Sequence, residues 1–135
     1  MIHPSQFQAP WWARNPHLQT IMAKYLQPKR VEYRTERLEL PDGDFVDLAW
    51  AFPEHDAPRP LVVLFHGLEG EIHSHYIQGM MAALQQQGWQ ALLMHFRGCS
   101  GEPNRHLSAY HSGAVGDPHY LLAELRQRYP HRPIA

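Results

Sequence analysis

Hydrophobic positions along the chain fall into two periods. Leu61-Val62-Val63-Leu64-Phe65 is an unbroken apolar run, the pattern of a strand buried on both faces. Trp89 to Phe96 reads as another apolar strand. Between them, from about Ser74, Ile77, Met80, Met81 and Leu84 recur at helical spacing and predict one buried helix face, with Gly88 as its stop. Upstream, Val31 to Leu40 alternates weakly and reads as a strand, and Phe45 to Trp50 reads as a second strand. The turn Pro41-Asp42-Gly43-Asp44 between them makes the pair a hairpin. Pro53 to Pro60 reads as a polar loop, and Arg97 to Asn104 as a turn-rich one. Asp117-Pro118 predicts an N-cap followed by Pro at the first helical position. Leu121, Leu122, Leu125 and Tyr129 then line one face, Pro130 ends the helix, and a further strand begins near Ile134. At the other end, Leu18, Ile21, Met22, Tyr25 and Leu26 predict a short helix with one buried face, closed by Pro28. With Trp11 and Trp12 it is expected to pack as an arm, residues 1–30, over a domain beginning at 31. A hairpin followed by β-α-β-loop-α-(β) is the order of an α/β fold with a largely parallel sheet.

Composition changes this picture little. The 135 residues suit one domain, and the formal net charge of -1 gives the whole chain no field favouring nucleic acid or an anionic membrane. One cysteine, Cys99, excludes an internal disulfide framework and suits a reducing compartment. No apolar run approaches transmembrane length. The first residues lack the basic and apolar regions of a secretory signal, so the cytoplasm is expected.

The candidate chemistry begins where Leu61–Phe65 runs into His66-Gly67-Leu68-Glu69-Gly70. An apolar strand feeding a Gly-rich turn ahead of a helix presents free backbone N–H groups, the means of holding an oxyanion in acyl transfer. Such a hole serves a Ser on a G-x-S-x-G elbow, followed by an acid and a His, and no G-x-S-x-G occurs in this sequence. His66 is therefore read as shaping the turn with Gly67, not as a base. Ser100 has Gly98 two residues before it but Glu102 two after, so it fails the elbow pattern. It is expected, with Arg97, to line the pocket from a loop. Cys99 reads as a small loop residue. The chain holds 11 His; His73-x-His75 and His106…His111 lack zinc spacing, so no metal and no cofactor is expected. Trp11-Trp12 with Phe7 and Leu18 could touch lipid headgroups, but packing of the arm is the preferred reading.

Five segments in order carry a family resemblance: Asn15-Pro16-His17-Leu18-Gln19-Thr20, Leu40 to Leu48, His66 to Gly70, Met94 to Arg105, and Tyr110-His111-Ser112-Gly113. Together they resemble the YheT-like branch of the α/β-hydrolase superfamily, the ABHD or embryogenesis-associated group of esterases, over nearly the whole chain. The resemblance implies the N-terminal part of an α/β-hydrolase fold, truncated before the nucleophile elbow by a shortened gene, a frameshift or excision. It also implies hydrolysis of carboxylic esters, lipid-like acyl esters among them, by a Ser-acid-His triad without a metal. In these terms the Leu68 backbone N–H matches one oxyanion donor; the second donor, the nucleophile, the acid and the His are not assigned here, so no esterase activity is expected of the chain alone. A small-molecule ester is the implied partner of an intact relative, and the fragment is expected to self-associate through an open sheet edge. The alternative is a non-catalytic half-domain that binds or assembles with a partner chain.

Overall fold

The structure is a computed structural model, and it describes residues 8–25, 30–51, 59–68 and 70–135. The predicted loop over 53–60 and the helix stop at Pro28 lie largely or wholly outside these residues.

Among the described residues four strands form one mixed sheet. Strand β1 (Tyr33–Glu39) pairs antiparallel with β2 (Phe45–Ala51), Glu39 opposite Phe45, across the predicted turn. Gly43 adopts φ 83°, a left-handed conformation that side chains disfavour, and its N–H donates to the Leu40 carbonyl at 3.0 Å. Strand β3 (Leu61–Phe65) pairs parallel with β4 (Gln90–Met94), and β4 pairs antiparallel with β2, giving the order β1-β2-β4-β3. On the far side of β3, Ile134 forms a parallel bridge with Leu61. The Leu61 and Val63 N–H groups donate to the Pro133 and Ala135 carbonyls at 2.9 and 2.8 Å, where the sequence predicts the next strand to begin.

Helix α2 (His75–Gln86) connects β3 to β4, and α3 (Gly116–Arg128) follows β4; the helix before the hairpin, α1, spans Pro16–Tyr25. The period-2 pleat sorts side chains to two cores. Val46, Leu48, Trp50, Leu61, Val63, Leu92 and Met94 face one side, where Leu121 and Leu125 of α3 cover them. Ala49, Ala51, Ala91 and Leu93 face the other, under Ile77, Met81 and Leu84 of α2. The strand order explains this: β4 lies on one side of β3 and the Ile134 bridge on the other. Right-handed crossovers in opposite directions put their helices on opposite faces.

Three expectations need correction. Met80 is 51% exposed; the position turned inward beside Ile77 is Gln78, whose Oε1 accepts the Val31 N–H at 2.7 Å and whose Nε2 donates to the Ile72 carbonyl at 2.6 Å. A polar side chain can be buried there because both ends of its amide are satisfied. Asp117 is not the cap of α3: it lies in the first turn behind Val115, and its carboxylate is held by Arg97. A bidentate guanidinium is a stronger partner than an amide N–H. Lastly, α1 forms as predicted, with Asn15 Oδ1 accepting the His17 N–H at 2.9 Å, but Leu18 and Ile21 of its predicted face are exposed, and among the described residues it packs chiefly on the 3-10 turn Trp11–Ala13.

Candidate oxyanion site

Parallel pairing of β3 with β4 sets Phe65 opposite Met94, so the chain leaves both strands at the same end of the sheet. The turn after β3 and the loop after β4 therefore meet there, the position at which open α/β sheets bind ligands. The two are tied by His66, which is buried: its Nε2 accepts the Phe96 N–H at 3.0 Å. An amide can only donate, so the ring proton sits on Nδ1, which donates to the Gly67 carbonyl at 2.8 Å. Both ring nitrogens are thus used in fastening backbone.

The same turn is held from α2. Tyr76 Oη accepts the Gly67 N–H at 2.8 Å, and the Gly70 N–H donates to the Gly67 carbonyl at 2.9 Å. A Cβ on Gly70 would stand 2.6 Å from Tyr76 Oη and 2.7 Å from His66 Cβ, so only glycine fits. Leu68, at the tip, is 87% exposed, and its N–H takes no acceptor among the described residues. Its two flanking constraints leave this amide as the free donor among the described residues of the turn.

Against His66 stands an aromatic wall. Phe96 stacks on Tyr110 with ring centroids 4.9 Å apart, and His66 meets both rings edge-on at 5.1 and 5.9 Å. Phe65 lies 6.1 Å from Phe96 and His95 5.9 Å from His66. Burial lowers the His95 pKa; the Cys99 carbonyl, accepting from its Nδ1 at 3.1 Å, opposes this, and the neighbouring His66 adds to the lowering.

The loop after β4 is clamped by charge. Arg97 donates to both oxygens of Asp117 at 2.8 Å, and to Asp42 and Asp44 of the hairpin turn at 2.6 and 3.3 Å. Asp44 is fully buried, and it also accepts from Asn104 Nδ2 and from the Arg105 and Phe45 N–H groups. Burial alone would raise its pKa; these three hydrogen bonds and the Arg97 charge outweigh that and lower it to about 2. Asn104 Oδ1 in turn accepts the Gly98 N–H, which closes the loop on itself. Alongside, Arg37 clasps Asp47 and Glu102, and the Ser100 hydroxyl donates to Asp47.

These contacts locate each sequence candidate. His66, Gly67 and Leu68 form the turn, and Arg97 and Ser100 lie on the adjoining loop. Arg97 and Ser100 are bound to carboxylates of the hairpin, which occupies their polar atoms in holding the loop. The Cys99 thiol lies 3.9 Å from the Arg97 carbonyl. His106 Nε2 meets the Asp42 carbonyl, His111 accepts the Gly113 N–H, and His73 packs edge-on to Tyr33. Among the described residues no three His, Cys, Asp or Glu side chains gather as a metal site would require. Sequence reasoning missed Tyr76, Tyr110 and the acidic hairpin as partners of the site. The alternation of Asp42, Asp44 and Asp47 against Arg97 and Arg105 was the available signal for the last.

No family model matches the chain. Comparison with curated proteins gives 47% identity over 124 residues with the YheT protein of Escherichia coli (strain K12), which carries an esterase name, covering 90% of this chain and 36% of that protein. The chain is a relative of the YheT-like α/β-hydrolases. Human phospholipase ABHD3 is 24% identical, over 91% of the chain and 32% of its own length. Among solved structures, an esterase of Pyrococcus furiosus superimposes with a TM-score of 0.60 at 15% identity, covering 99% of the chain and 45% of that structure. An alpha-beta serine hydrolase homologue from Coxiella burnetii gives 0.59 at 15% identity, covering 75% and 49%. The fold is thus that of part of an α/β-hydrolase, and the chain spans about a third of the length of the curated relatives it matches. Four of the five motifs of this YheT-like relative also acquire a spatial sense: Asp42 and Asp44 of 40–48 interlock with Arg97 of 94–105, and His66 meets Tyr110 of 110–113.

Proposed function

We propose that this segment supplies the oxyanion half of a carboxylic ester hydrolase. The observation that carries the reading is the Leu68 amide: exposed, without an acceptor among the described residues, and set at the ligand-binding end of the sheet by a turn fastened on both sides. In the reaction a Ser Oγ attacks the acyl carbonyl, its proton passes to a His, and negative charge develops on the carbonyl oxygen. The Leu68 N–H donates to that oxygen, a contact typically worth about 3 kcal/mol of barrier. The contacting Phe65, Phe96 and Tyr110 rings offer an apolar surface beside the turn, which suits the acyl part of a small or lipid-like ester. Arg97 and Ser100 shape it by fixing the loop beside it. The nucleophile, acid and base come from outside these 135 residues, so the segment by itself is inactive. We assign residues 1–30 as an arm and 31–135 as hydrolase domain, and the lone Cys99 suits a cytoplasmic setting.

The test is a chimera in which residues 1–135 replace the matching segment of the E. coli YheT relative. The account expects the chimera to hydrolyse p-nitrophenyl esters and to be labelled by a fluorophosphonate, while the chain alone does neither. A folded, unlabelled chimera beside a labelled parent contradicts it.

A further inference from the structure

The net charge of the chain conceals an uneven distribution. Residues 1–31 contain Arg14, Lys24, Lys29 and Arg30 and not one Asp or Glu; the first carboxylate is Glu32. The remaining residues carry the other eight Lys and Arg against all thirteen Asp and Glu. The cationic segment also holds the least covered apolar side chains ahead of the sheet. Trp11 is 81% exposed, Ile21 54% and Leu18 45%. Leu18, Ile21 and Met22 fall within an arc of about 100° on α1, the width of a helix stripe that ordinarily faces a core.

Local hydrogen bonds fasten this unit together. Asn15 caps α1, accepting the His17 and Leu18 N–H groups, and the Gln19 side chain donates to the Ala13 carbonyl, which ties the helix to the 3-10 turn. Its ten residues extend about 15 Å, half the hydrocarbon thickness of a bilayer. No described helix is long and apolar enough to cross a membrane. A short, rigid, cationic element with an exposed tryptophan and an aliphatic stripe has the character of a helix lying in a lipid headgroup layer.

We infer that the Trp11–Tyr25 unit is a docking surface for an anionic lipid bilayer. Leu18, Ile21 and Trp11 enter the headgroup layer, and Arg14, exposed between the 3-10 turn and α1, faces its phosphates. The acidic remainder of the chain is repelled by the same surface, which orients the molecule with α1 toward the lipid and the sheet away from it. The inference stands independently of the ester-hydrolase reading.

Vesicle co-sedimentation of the full chain tests it. Mixed phosphatidylcholine–phosphatidylglycerol vesicles are expected to bind at low ionic strength, and pure phosphatidylcholine at least tenfold more weakly; raising the salt should release the chain, as screening requires. Leu18→Ser with Ile21→Ser should reduce binding about tenfold or more, and Arg14→Gln about fivefold. Both sites are exposed, so thermal melts of the variants should match the parent. Met80→Ser, an exposed apolar position on α2, should leave binding unchanged. Equal binding to both vesicle types overturns the inference, as does equal loss in Met80→Ser. Absence of binding also overturns it, including the case in which light scattering shows the α1 double variant dissociating a dimer, since a second copy then covers this face.

Discussion

His66 Nε2 accepts the Phe96 N–H at 3.0 Å, a bond between residues thirty positions apart that joins the turn after β3 to the loop after β4. In a family whose catalytic histidine comes last in the chain, an early histidine invites misassignment. The geometry gives it another task. One nitrogen holds the neighbouring loop, the other holds the carbonyl of its own turn, and the ring edge packs against Phe96 and Tyr110.

Replacing His66 by Phe keeps a ring in the aromatic wall but removes the acceptor. The Phe96 N–H is then left without its partner, which should destabilise the chain by about 1–3 kcal/mol. Urea unfolding followed by tryptophan fluorescence measures this; an unchanged midpoint would mean that the bond contributes nothing.

Tyr76 should act through the turn. Tyr76→Phe removes the acceptor of the Gly67 N–H, and because Gly67 is exposed, water can replace it; the stability cost should be no more than about 1 kcal/mol. In the chimera the same change should lower kcat more than it raises KM, because the Leu68 amide loses its fixed direction. Gly70→Ala should be worse on both counts, costing about 1–3 kcal/mol, since its Cβ meets Tyr76 Oη and His66 Cβ inside contact distance.

The helices and strands were legible because each carries a clean period: the apolar run of 61–65 and the helical spacing of Leu121 and Leu125 leave one reading each. The shared end of the sheet followed from topology, since loops leaving two parallel strands at their C-termini must meet. Gln78 was illegible because its burial depends on two backbone groups, at Val31 and Ile72, that are remote or unpatterned in sequence. Asp117 was misread for a similar reason. Local grammar made it a cap, and a long-range guanidinium, unseen in any local window, took its carboxylate. The face of α1 was misread because helical periodicity reports a stripe but not what covers it.

Acid should unfold the chain in two stages. The His95 pKa is lowered in the fold, so below its ordinary value of 6.5 the unfolded chain binds a proton that the fold resists, and stability declines as pH falls. The Asp44 pKa is lowered from 3.8 to about 2, so its contribution is complete above pH 4 and lost as pH falls through 2. The carboxylates of Glu39, Asp42, Asp47 and Glu102 are lowered by their arginine partners as well, so Asp44→Asn should reduce the steeper stage without abolishing it and leave the shallow one, as read from melting temperatures between pH 7 and pH 2. A parent and variant with parallel acid limbs would contradict the assignment.

The outer side of β3 is paired near Leu61 and Val63 but carries no ladder partner at Phe65 among the described residues. Its apolar run contains no Lys or Pro to discourage pairing with another chain. Size-exclusion chromatography with light scattering should therefore show oligomers that a Leu64→Lys substitution reduces. A monodisperse parent that melts sharply would show the edge to be closed.

The most direct measurement is the structure of the chimera after fluorophosphonate labelling. Attack of Ser Oγ on phosphorus expels fluoride and leaves a tetrahedral adduct whose phosphonyl oxygen stands where the oxyanion of ester hydrolysis would be. The account places that oxygen about 2.7–3.1 Å from the Leu68 nitrogen, with His66 still bonded to Phe96. An adduct whose oxygen points away from the turn, with no amide of residues 66–70 within about 3.5 Å, would contradict the assignment of this turn as the oxyanion donor.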